Sequence, residues 1–404
     1  MSRSRRCLQK VTLVCLTGLL ASCAAPPPEA PIDEGARLTA KEETLPIGGQ
    51  PVVTLAQPQT PDPRQPQILS AEIIPGRGMN IYQVRGYVPS QGIINLFASP
   101  PLEEAARRFN GGPEDFNGNE GFRIGGGILV PFANRIRGKF LPEERAIETQ
   151  VAGKTVKLTA NWKGKEAHAE WHAMHGLILD RAMDKVSLDS TSEYASVKGE
   201  LDAKDFGGRW LSKTQLTVTA TLKKNKTFGF TVEAKNTGSE PLPMGIGWHP
   251  YFLLPSGDRR QVRLQVPARK RALVDNYDNV FPTGKLETIA DTAYDFSIAG
   301  GRPLGDLFLD DCFVDLARDS QGRSVAEIID PAAEYGIRIV SLSPDISAYQ
   351  VYAPPEKNFV ALEPQFNWAD PYSPAWGTQV NTGMVTLQPG QSITYSVELE
   401  LFVP

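Results

Sequence analysis

The chain has 404 residues, of which 41% are hydrophobic and 22% are charged. This is the composition of a globular protein with a sizeable core, and the length suits one large all-β domain or two ordinary domains. The formal net charge of -4 argues against nucleic acid as a partner and against a basic surface that binds anionic lipid.

The first residues have the pattern of a bacterial export signal. A basic stretch (3–10) precedes an apolar run (11–20) that is too short to span a bilayer. The small residues before Cys23 resemble a lipobox, in which the cysteine receives lipid and becomes the mature N-terminus. An ordinary cleavage site beside an incidental cysteine is the alternative. We predict a lipoprotein signal peptide over 1–22 and lipidation of Cys23.

Lipid on Cys23 predicts a bacterial cell-envelope protein that is held at the membrane by its N-terminal lipid only. Ala24, rather than aspartate, follows the cysteine. This resembles the outer-membrane pattern, so we expect a domain that faces the periplasm. The Arg5-Arg6 pair leaves export by the general or the twin-arginine route open. Only Cys312 would remain unmodified in the mature chain, which excludes an intramolecular disulfide.

Downstream of the signal, composition divides the chain in two. Residues 23–66 are rich in proline, alanine, glutamine and threonine, so we expect a flexible tether without packed structure. Residues 67–404 carry strand signals, of which the clearest are the alternating apolar residues of 216–222 and 393–401. One short helix is predicted at 102–109. Many strands without a βαβ rhythm predict an all-β fold, a large antiparallel β-sandwich.

Three of the four histidines fall within eight residues, at His168, His172 and His175. On a helix they would share one face, as zinc ligands do. The strand that ends near Trp162, the following Gly176 and the lack of a carboxylate at a supporting spacing argue against a helix and a metal here. A site without metal, or a structural role, is favoured.

His249 and Glu363 are candidates for proton transfer. His249 lies in an apolar, glycine-spaced run and is followed by a proline and two aromatic residues, where an imidazole can act as a proton donor or acceptor. A hydrogen-bonded core histidine is the alternative. Glu363 ends an apolar strand just before a proline, where desolvation would raise its pKa and make it a competent base. A surface glutamate is the alternative there.

Two other segments place charge in apolar surroundings. Arg135 follows an apolar run and needs a partner, either a carboxylate or ligand oxygens. The Asp310-Asp311 pair lies between hydrophobic residues and suits contacts to sugar hydroxyls, although a turn is the plainer interpretation.

Six segments follow one another along the chain: Pro131–Ile136, His175-Gly176, His249–Phe252, Phe281–Gly284, Asp310–Phe313 and Leu362–Gln365. In this order they resemble the aldose 1-epimerase (mutarotase) family. Each segment alone is weak, and their common order makes the resemblance strong. The resemblance extends from about residue 68 to the end and implies a galactose mutarotase-like supersandwich, an isomerase activity and a sugar substrate, without metal or cofactor.

The resemblance also implies roles for individual residues. Glu363 would be the base that takes the proton of the C1 hydroxyl, and His249 the acid that protonates the ring oxygen. His175 resembles the second family histidine, which hydrogen-bonds near the ring oxygen. The predicted substrate-binding residues are Arg135, Asn134, Asp310, Trp248 and Tyr251, with Phe366 and Trp368 as further aromatic residues that could stack on the sugar.

Departures from the family pattern leave the sugar open. Trp248 stands where an asparagine is usual, Leu253-Leu254 where Asn-Leu is usual, and Leu177 after His175-Gly176. A phosphosugar would need several cations at the mouth of the pocket, for which Arg135 and Arg137 are available. The function predicted is an aldose 1-epimerase, and the alternative is an envelope lipoprotein that binds carbohydrate without turnover on the same fold.

Overall fold

The computed structural model describes residues 37–60, 62–225 and 227–404. The predicted signal peptide and the predicted lipidation site at Cys23 lie outside these residues. The described part is built mostly of strands, as predicted. The first half of the strands comprises β1 (Thr39–Ile47), β2 (Gln50–Ala56), β3 (Gln67–Ile74), β4 (Asn80–Val88), β5 (Gly92–Asn95), β6 (Gly126–Leu129), β7 (Arg135–Ile136), β8 (Lys139–Leu141), β9 (Ala146–Val151), β10 (Lys154–Thr159), β11 (Ala173–Met174), β12 (Lys185–Ser190), β13 (Tyr194–Lys204) and β14 (Thr214–Lys223).

Strands also dominate the second half of the chain, and only short helical segments interrupt the sheets. These strands are β15 (Phe228–Asn236), β16 (Leu242–Met244), β17 (Gly247–Leu253), β18 (Arg263–Gln265), β19 (Ala268–Val274), β20 (Pro282–Thr288), β21 (Arg302–Pro303), β22 (Leu309–Leu316), β23 (Ser324–Asp330), β24 (Tyr335–Ser341), β25 (Ala348–Ala353), β26 (Phe359–Gln365), β27 (Val385–Leu387) and β28 (Ser392–Phe402). The α-helices are α1 (Leu102–Arg108) and α2 (Glu120–Arg123), and 3-10 turns cover Pro75–Arg77, Phe116–Gly118, Pro142–Glu144, Pro331–Ala333 and Pro374–Trp376. Helix α1 confirms the predicted short helix.

Two large antiparallel sheets form the sandwich. One has nine strands in the order β12-β13-β14-β15-β28-β24-β23-β18-β21, and the other has seven in the order β20-β19-β22-β25-β26-β17-β6. A five-stranded sheet, β1 to β5, runs in sequence order. Side chains of the two large sheets meet in one core, where the ring of Phe230 on β15 lies 5.2 Å from the ring of Trp248 on β17. The sheet that contains β17 and β26 positions the candidate site.

The alternation of the sequence explains why the strands pack. On β14 the apolar residues Leu216, Val218, Ala220 and Leu222 are fully buried, whereas the residues between them are less buried. Successive side chains of a strand point to opposite faces, so this pattern gives one face to the core and the other to solvent. On β28, Tyr395, Val397 and Leu399 are buried in the same way.

The predicted tether is wrong for residues 39–56, which form β1 and β2. Strand β2 pairs with β3, and its Val53 and Leu55 are buried in the main core. A short apolar run is sufficient to add a strand to a sheet when a partner edge is present, even inside a segment whose average composition is that of a linker. The folded domain therefore begins near residue 39, and residues 23–36 lie outside the described part.

No helix in the described ranges is both long enough and apolar enough to cross a membrane.

We expect Leu55→Ala to lower the free energy of unfolding by about 2–5 kcal/mol, because it removes a fully buried side chain from the core. The control is Ile93→Ala, since Ile93 is 62% exposed and its truncation should change stability by less than about 0.5 kcal/mol. Urea denaturation of the full chain measures both. A neutral Leu55→Ala would mean that residues 39–56 are an unpacked tether after all.

Candidate active site

The register of two neighbouring strands places His249 opposite Glu363. In the pairing of β17 with β26, Gly247 faces Gln365 and Tyr251 faces Ala361. Midway between these two pairs, His249 therefore faces Glu363. Directly opposed residues of an antiparallel pair point to the same face. The Nε2 atom of His249 consequently lies 3.2 Å from Oε1 of Glu363. The two candidates for proton transfer, separated widely in sequence, form one pair.

The next strands extend this face of the sheet. Gln350 on β25 faces Glu363 on β26. One row further along, Tyr352 on β25 faces Asp310 on β22. Asp310 therefore belongs to a strand, and the alternative of a turn at this position is wrong. The pattern of opposed residues brings the predicted acid, base and hydroxyl ligand onto one surface.

Two loop residues complete the site in unusual backbone conformations. Asn134 and His175 have φ angles of 61° and 60°, in the left-handed region that residues other than glycine rarely adopt. The His175 N–H donates to the Asn134 carbonyl at 2.8 Å. Gly176 follows with φ 79°, and a Cβ there would meet the Val130 carbonyl oxygen at 2.4 Å, which explains the His-Gly dipeptide.

A polar network connects these loops to the sheet. Gln350 donates to Oδ1 of Asp310 at 2.6 Å and accepts from the side-chain amide of Asn134 at 2.9 Å. The Arg135 guanidinium lies 3.8 Å from Oδ2 of Asp310 and donates to the Val280 carbonyl at 3.2 Å. Such a network fixes the orientation of Asp310 and Arg135 before any ligand arrives.

A cavity of about 660 Å³ contains the site. Its volume is in the range of small-molecule binding pockets. Seven of the eight residues predicted to be catalytic or substrate-binding line it: His249, Glu363, His175, Arg135, Asn134, Asp310 and Tyr251.

Trp248 is the exception, and its predicted contact with substrate is wrong. It follows Gly247 and precedes His249 on β17, so its side chain points to the opposite face. There it is fully buried, and its indole N–H donates to the Gly126 carbonyl at 3.1 Å. Phe366 and Trp368 do not line the cavity either, since Phe366 packs against Tyr395 and Trp368 against Trp376.

The histidine cluster divides among three environments. His168 is exposed, His172 is fully buried with its Nδ1 atom 3.0 Å from the Glu170 carbonyl oxygen, and only His175 lines the cavity. Within the described residues, no group of three or more His, Cys, Asp or Glu side chains is arranged to hold a metal ion. Arg137 pairs with Glu170 at 2.5 Å and is not part of the cavity wall.

Burial sets the protonation of the central pair. Desolvation, with a contribution from the nearby Asp310 carboxylate, raises the pKa of Glu363 well above its ordinary range. Desolvation also lowers the pKa of His249 to about 3. Both shifts favour an un-ionised carboxyl beside a neutral imidazole. One proton transfer along the 3.2 Å contact converts this state into a carboxylate and an imidazolium, which are a base and an acid side by side.

Sequence reasoning missed several polar residues of the site. Gln350 connects Asn134 to Asp310, and Gln365 donates to Oε2 of Glu363 at 2.9 Å. Gln365 ends the segment Leu362–Gln365, in which only the glutamate was assigned a role. The role of Gln350 follows only from strand pairing.

Comparison with known proteins places this site in context. The family model described as aldose 1-epimerase matches residues 110–400. The fold is similar to that of a galactose mutarotase-like protein from Clostridium acetobutylicum, at 18% identity over 91% of this chain and 99% of that chain, with a TM-score of 0.69. It is also similar to galactose 1-epimerase from Lactobacillus acidophilus, at 16% identity over 91% and 99% of the two chains, with a TM-score of 0.61. The fold is similar as well to that of an aldose epimerase homologue from C. elegans, at 17% identity over 83% of this chain and 96% of that chain, with a TM-score of 0.62.

Glu363→Gln should raise the free energy of unfolding of the protein, and this increase should become larger as the pH rises. A carboxyl whose pKa is raised in the folded state contributes stability that is fully present below the unfolded pKa, ordinarily 4.5, and is lost as the pH rises through the folded pKa. Glutamine keeps an oxygen for the Gln365 amide and never ionises. The melting temperatures of both proteins at about pH 5 and about pH 8 measure the difference.

The comparison of variant with parent at each pH removes the contribution of His249, which is common to both. Glu143→Gln is the control because Glu143 is exposed, and it should show no growing gain. A gain for Glu363→Gln that shrinks as the pH rises would contradict the raised pKa.

Proposed function

Because the chain belongs to the aldose 1-epimerase family, we propose that it is a mutarotase, which interconverts the α and β anomers of a sugar by opening and closing the ring. The observation that carries this proposal is the 3.2 Å contact between His249 and Glu363 at the wall of a cavity large enough for a sugar. Anomerisation needs one proton removed and one delivered on a single ring, so a matched acid and base suffice.

The protons removed and delivered by the two residues balance over one turnover. Glu363 as carboxylate takes the proton of the C1 hydroxyl while His249 as imidazolium protonates the ring oxygen, and the C1–O bond to the ring oxygen breaks. The open-chain aldehyde turns about the C1–C2 bond. The hydroxyl formed from the ring oxygen then attacks the other face of the aldehyde. During this step Glu363 gives its proton to the carbonyl oxygen, and His249 takes the proton of the attacking hydroxyl. The pair ends as it began, with no co-reactant consumed.

Polar groups around the pair provide the substrate contacts. Arg135 and Asp310 present a donor and an acceptor for sugar hydroxyls, and Asn134 and Gln350 hold Asp310 in place. Among the described residues, buried nitrogen atoms of His175, His249 and Arg135 have no hydrogen-bond partner within the protein. Unpaired buried polar atoms are uncommon, and all three belong to residues that line the cavity.

The activity test is anomer exchange by freshly dissolved α-glucose and α-galactose, followed by polarimetry or NMR with the purified full-length protein. We expect exchange faster than in buffer for at least one aldose. Glu363→Gln and His249→Asn should each lower the rate by roughly 10²–10⁴-fold, because each removes one proton-transfer group.

Matched controls use the same substitutions at exposed positions, Glu143→Gln and His168→Asn, which should leave the rate unchanged. An unaffected rate in either site variant would remove that residue from its role. Sugar binding detected by calorimetry without any acceleration of exchange would instead support a non-catalytic carbohydrate-binding protein.

We further propose that the mutarotase domain works at the bacterial cell envelope, facing the periplasm and held by lipid on Cys23. The support is the sequence pattern alone: a basic stretch, a short apolar run and small residues directly before the cysteine.

Cells that express the full chain should incorporate labelled palmitate into the protein and retain it in the membrane fraction. Cys23→Ala should abolish the label and release the protein from the membranes, whereas Cys312→Ala, at a buried position of the folded domain, should retain both. Label that persists in Cys23→Ala would refute lipidation at this cysteine.

A further inference from the structure

Five aromatic side chains follow one another along the cavity wall. Their neighbouring ring centroids lie 4.9 Å apart for Tyr251 and Phe359, 6.2 Å for Phe359 and Tyr352, 6.3 Å for Tyr352 and Phe308, and 5.1 Å for Phe308 and Tyr277. All five line the cavity. We call this series the aromatic arc.

The arc runs outward from the reacting pair. At its inner end the Tyr251 ring lies 4.9 Å from the ring of His249, which is only 5% exposed. At its outer end Tyr277 is 42% exposed. The intermediate rings are partly buried. A run of large aromatic rings that keep part of their surface exposed to a cavity marks a contact surface for a ligand rather than a part of the core.

The outermost ring is held in place by a buried charge. The Tyr277 hydroxyl donates to Asp311, with 3.1 and 3.2 Å to its two carboxylate oxygens. Asp311 is fully buried and pairs with Arg271 at 2.6 Å. This network restrains an exposed side chain, so less conformational entropy is lost when a ligand packs against it. A rigid platform is typical of a binding surface.

The cavity is also larger than one sugar ring requires. A volume of about 660 Å³ is in the range that encloses a drug-sized ligand, and a single hexose is smaller than such a ligand. His249, Glu363, Arg135 and Asp310 would surround the reacting ring at the inner end. The remaining space towards the opening is bounded by the arc.

We propose that the aromatic arc binds the sugar units attached to the reacting ring, so that the substrate is a disaccharide or longer oligosaccharide with a free reducing end. This proposal rests on the proposed function. Only the reducing unit has a free C1 hydroxyl, so it must occupy the His249–Glu363 end and the other units must extend towards the opening. Pyranose rings present an apolar C–H face that packs on aromatic rings, which the arc supplies in succession.

Charge at the opening favours a neutral sugar. Lys163, Lys165 and Lys357 line the cavity near its exposed side, but Asp278 and Glu356 lie in the same wall. Arg123 also lines the cavity, but it pairs with Glu114 and Glu120. The mixture of signs therefore provides no strongly positive surface for a phosphate group, and an anionic sugar is the less favoured ligand.

The experiment compares kcat/KM for anomer exchange by the full-length protein with glucose, galactose, maltose, cellobiose, lactose and glucose 6-phosphate. We expect at least one disaccharide to exceed both free hexoses by roughly tenfold, mainly through a lower KM, as expected from one or two stacked rings. Phe308→Ala and Tyr277→Ala should remove this advantage while leaving the values for free hexoses unchanged.

Tyr277→Phe is the matched control, because it keeps the ring and loses only the hydroxyl that restrains it, so it should retain more of the advantage than Tyr277→Ala. Melting temperatures show whether each variant is folded, and Phe308→Leu replaces Phe308→Ala if the latter is not. Equal kcat/KM for hexoses and disaccharides, a preference that survives both arc substitutions, or a preference for glucose 6-phosphate would overturn the proposal while leaving the mutarotase function in place. Failure to accelerate exchange of any sugar would instead refute the proposed function, and the arc proposal with it.

Discussion

The pairing register of β17 and β26 is the constraint on which the rest of the site depends. It sets His249 against Glu363 on one face of the seven-stranded sheet, with Gln350 and Asp310 on the strands beyond. A slip of one residue would turn every side chain of β17 to the other face, bringing Trp248 into the cavity and His249 into the core. The buried Trp248, packed against Phe230 of the nine-stranded sheet, therefore also holds the register that brings His249 and Glu363 together.

Burial shifts the pKa values of His249 and Glu363 and also lowers the stability of the folded state when they ionise. A carboxyl and an imidazole exposed to water would each titrate near their ordinary pKa values, and their mutual contact would matter little. Inside the sheet, desolvation raises the pKa of Glu363 and lowers the pKa of His249, so the proton of the pair rests on the carboxyl, beside the imidazole. The same desolvation penalises the ionised carboxylate in the folded state. The folded domain accepts this penalty because the surrounding sheets provide an extensive core.

Much of the fold could be predicted from the sequence, and the errors have physical reasons. Strands with one face in the core, such as β14 and β28, alternate clearly and were predicted. Strand β17 is buried on both faces over most of its length, so its apolar composition does not show which residues face the core. Trp248 was therefore assigned to the cavity, although adjacent residues of a strand point to opposite faces. Strands β1 and β2 were missed because proline and glutamine around them dominate the composition. Gln350 was missed because its role comes from the strands beside it, and a single sequence contains no direct record of strand pairing.

The early start of the folded domain would limit its distance from a membrane if Cys23 carries the proposed lipid. Strand β1 begins at Thr39, only sixteen positions after Cys23. Fully extended chain covers at most about 3.6 Å per residue, so sixteen residues can reach no more than roughly 58 Å. If Cys23 carries the proposed lipid, the cavity would stay within a thin layer next to the bilayer, and its ligands would have to reach it there.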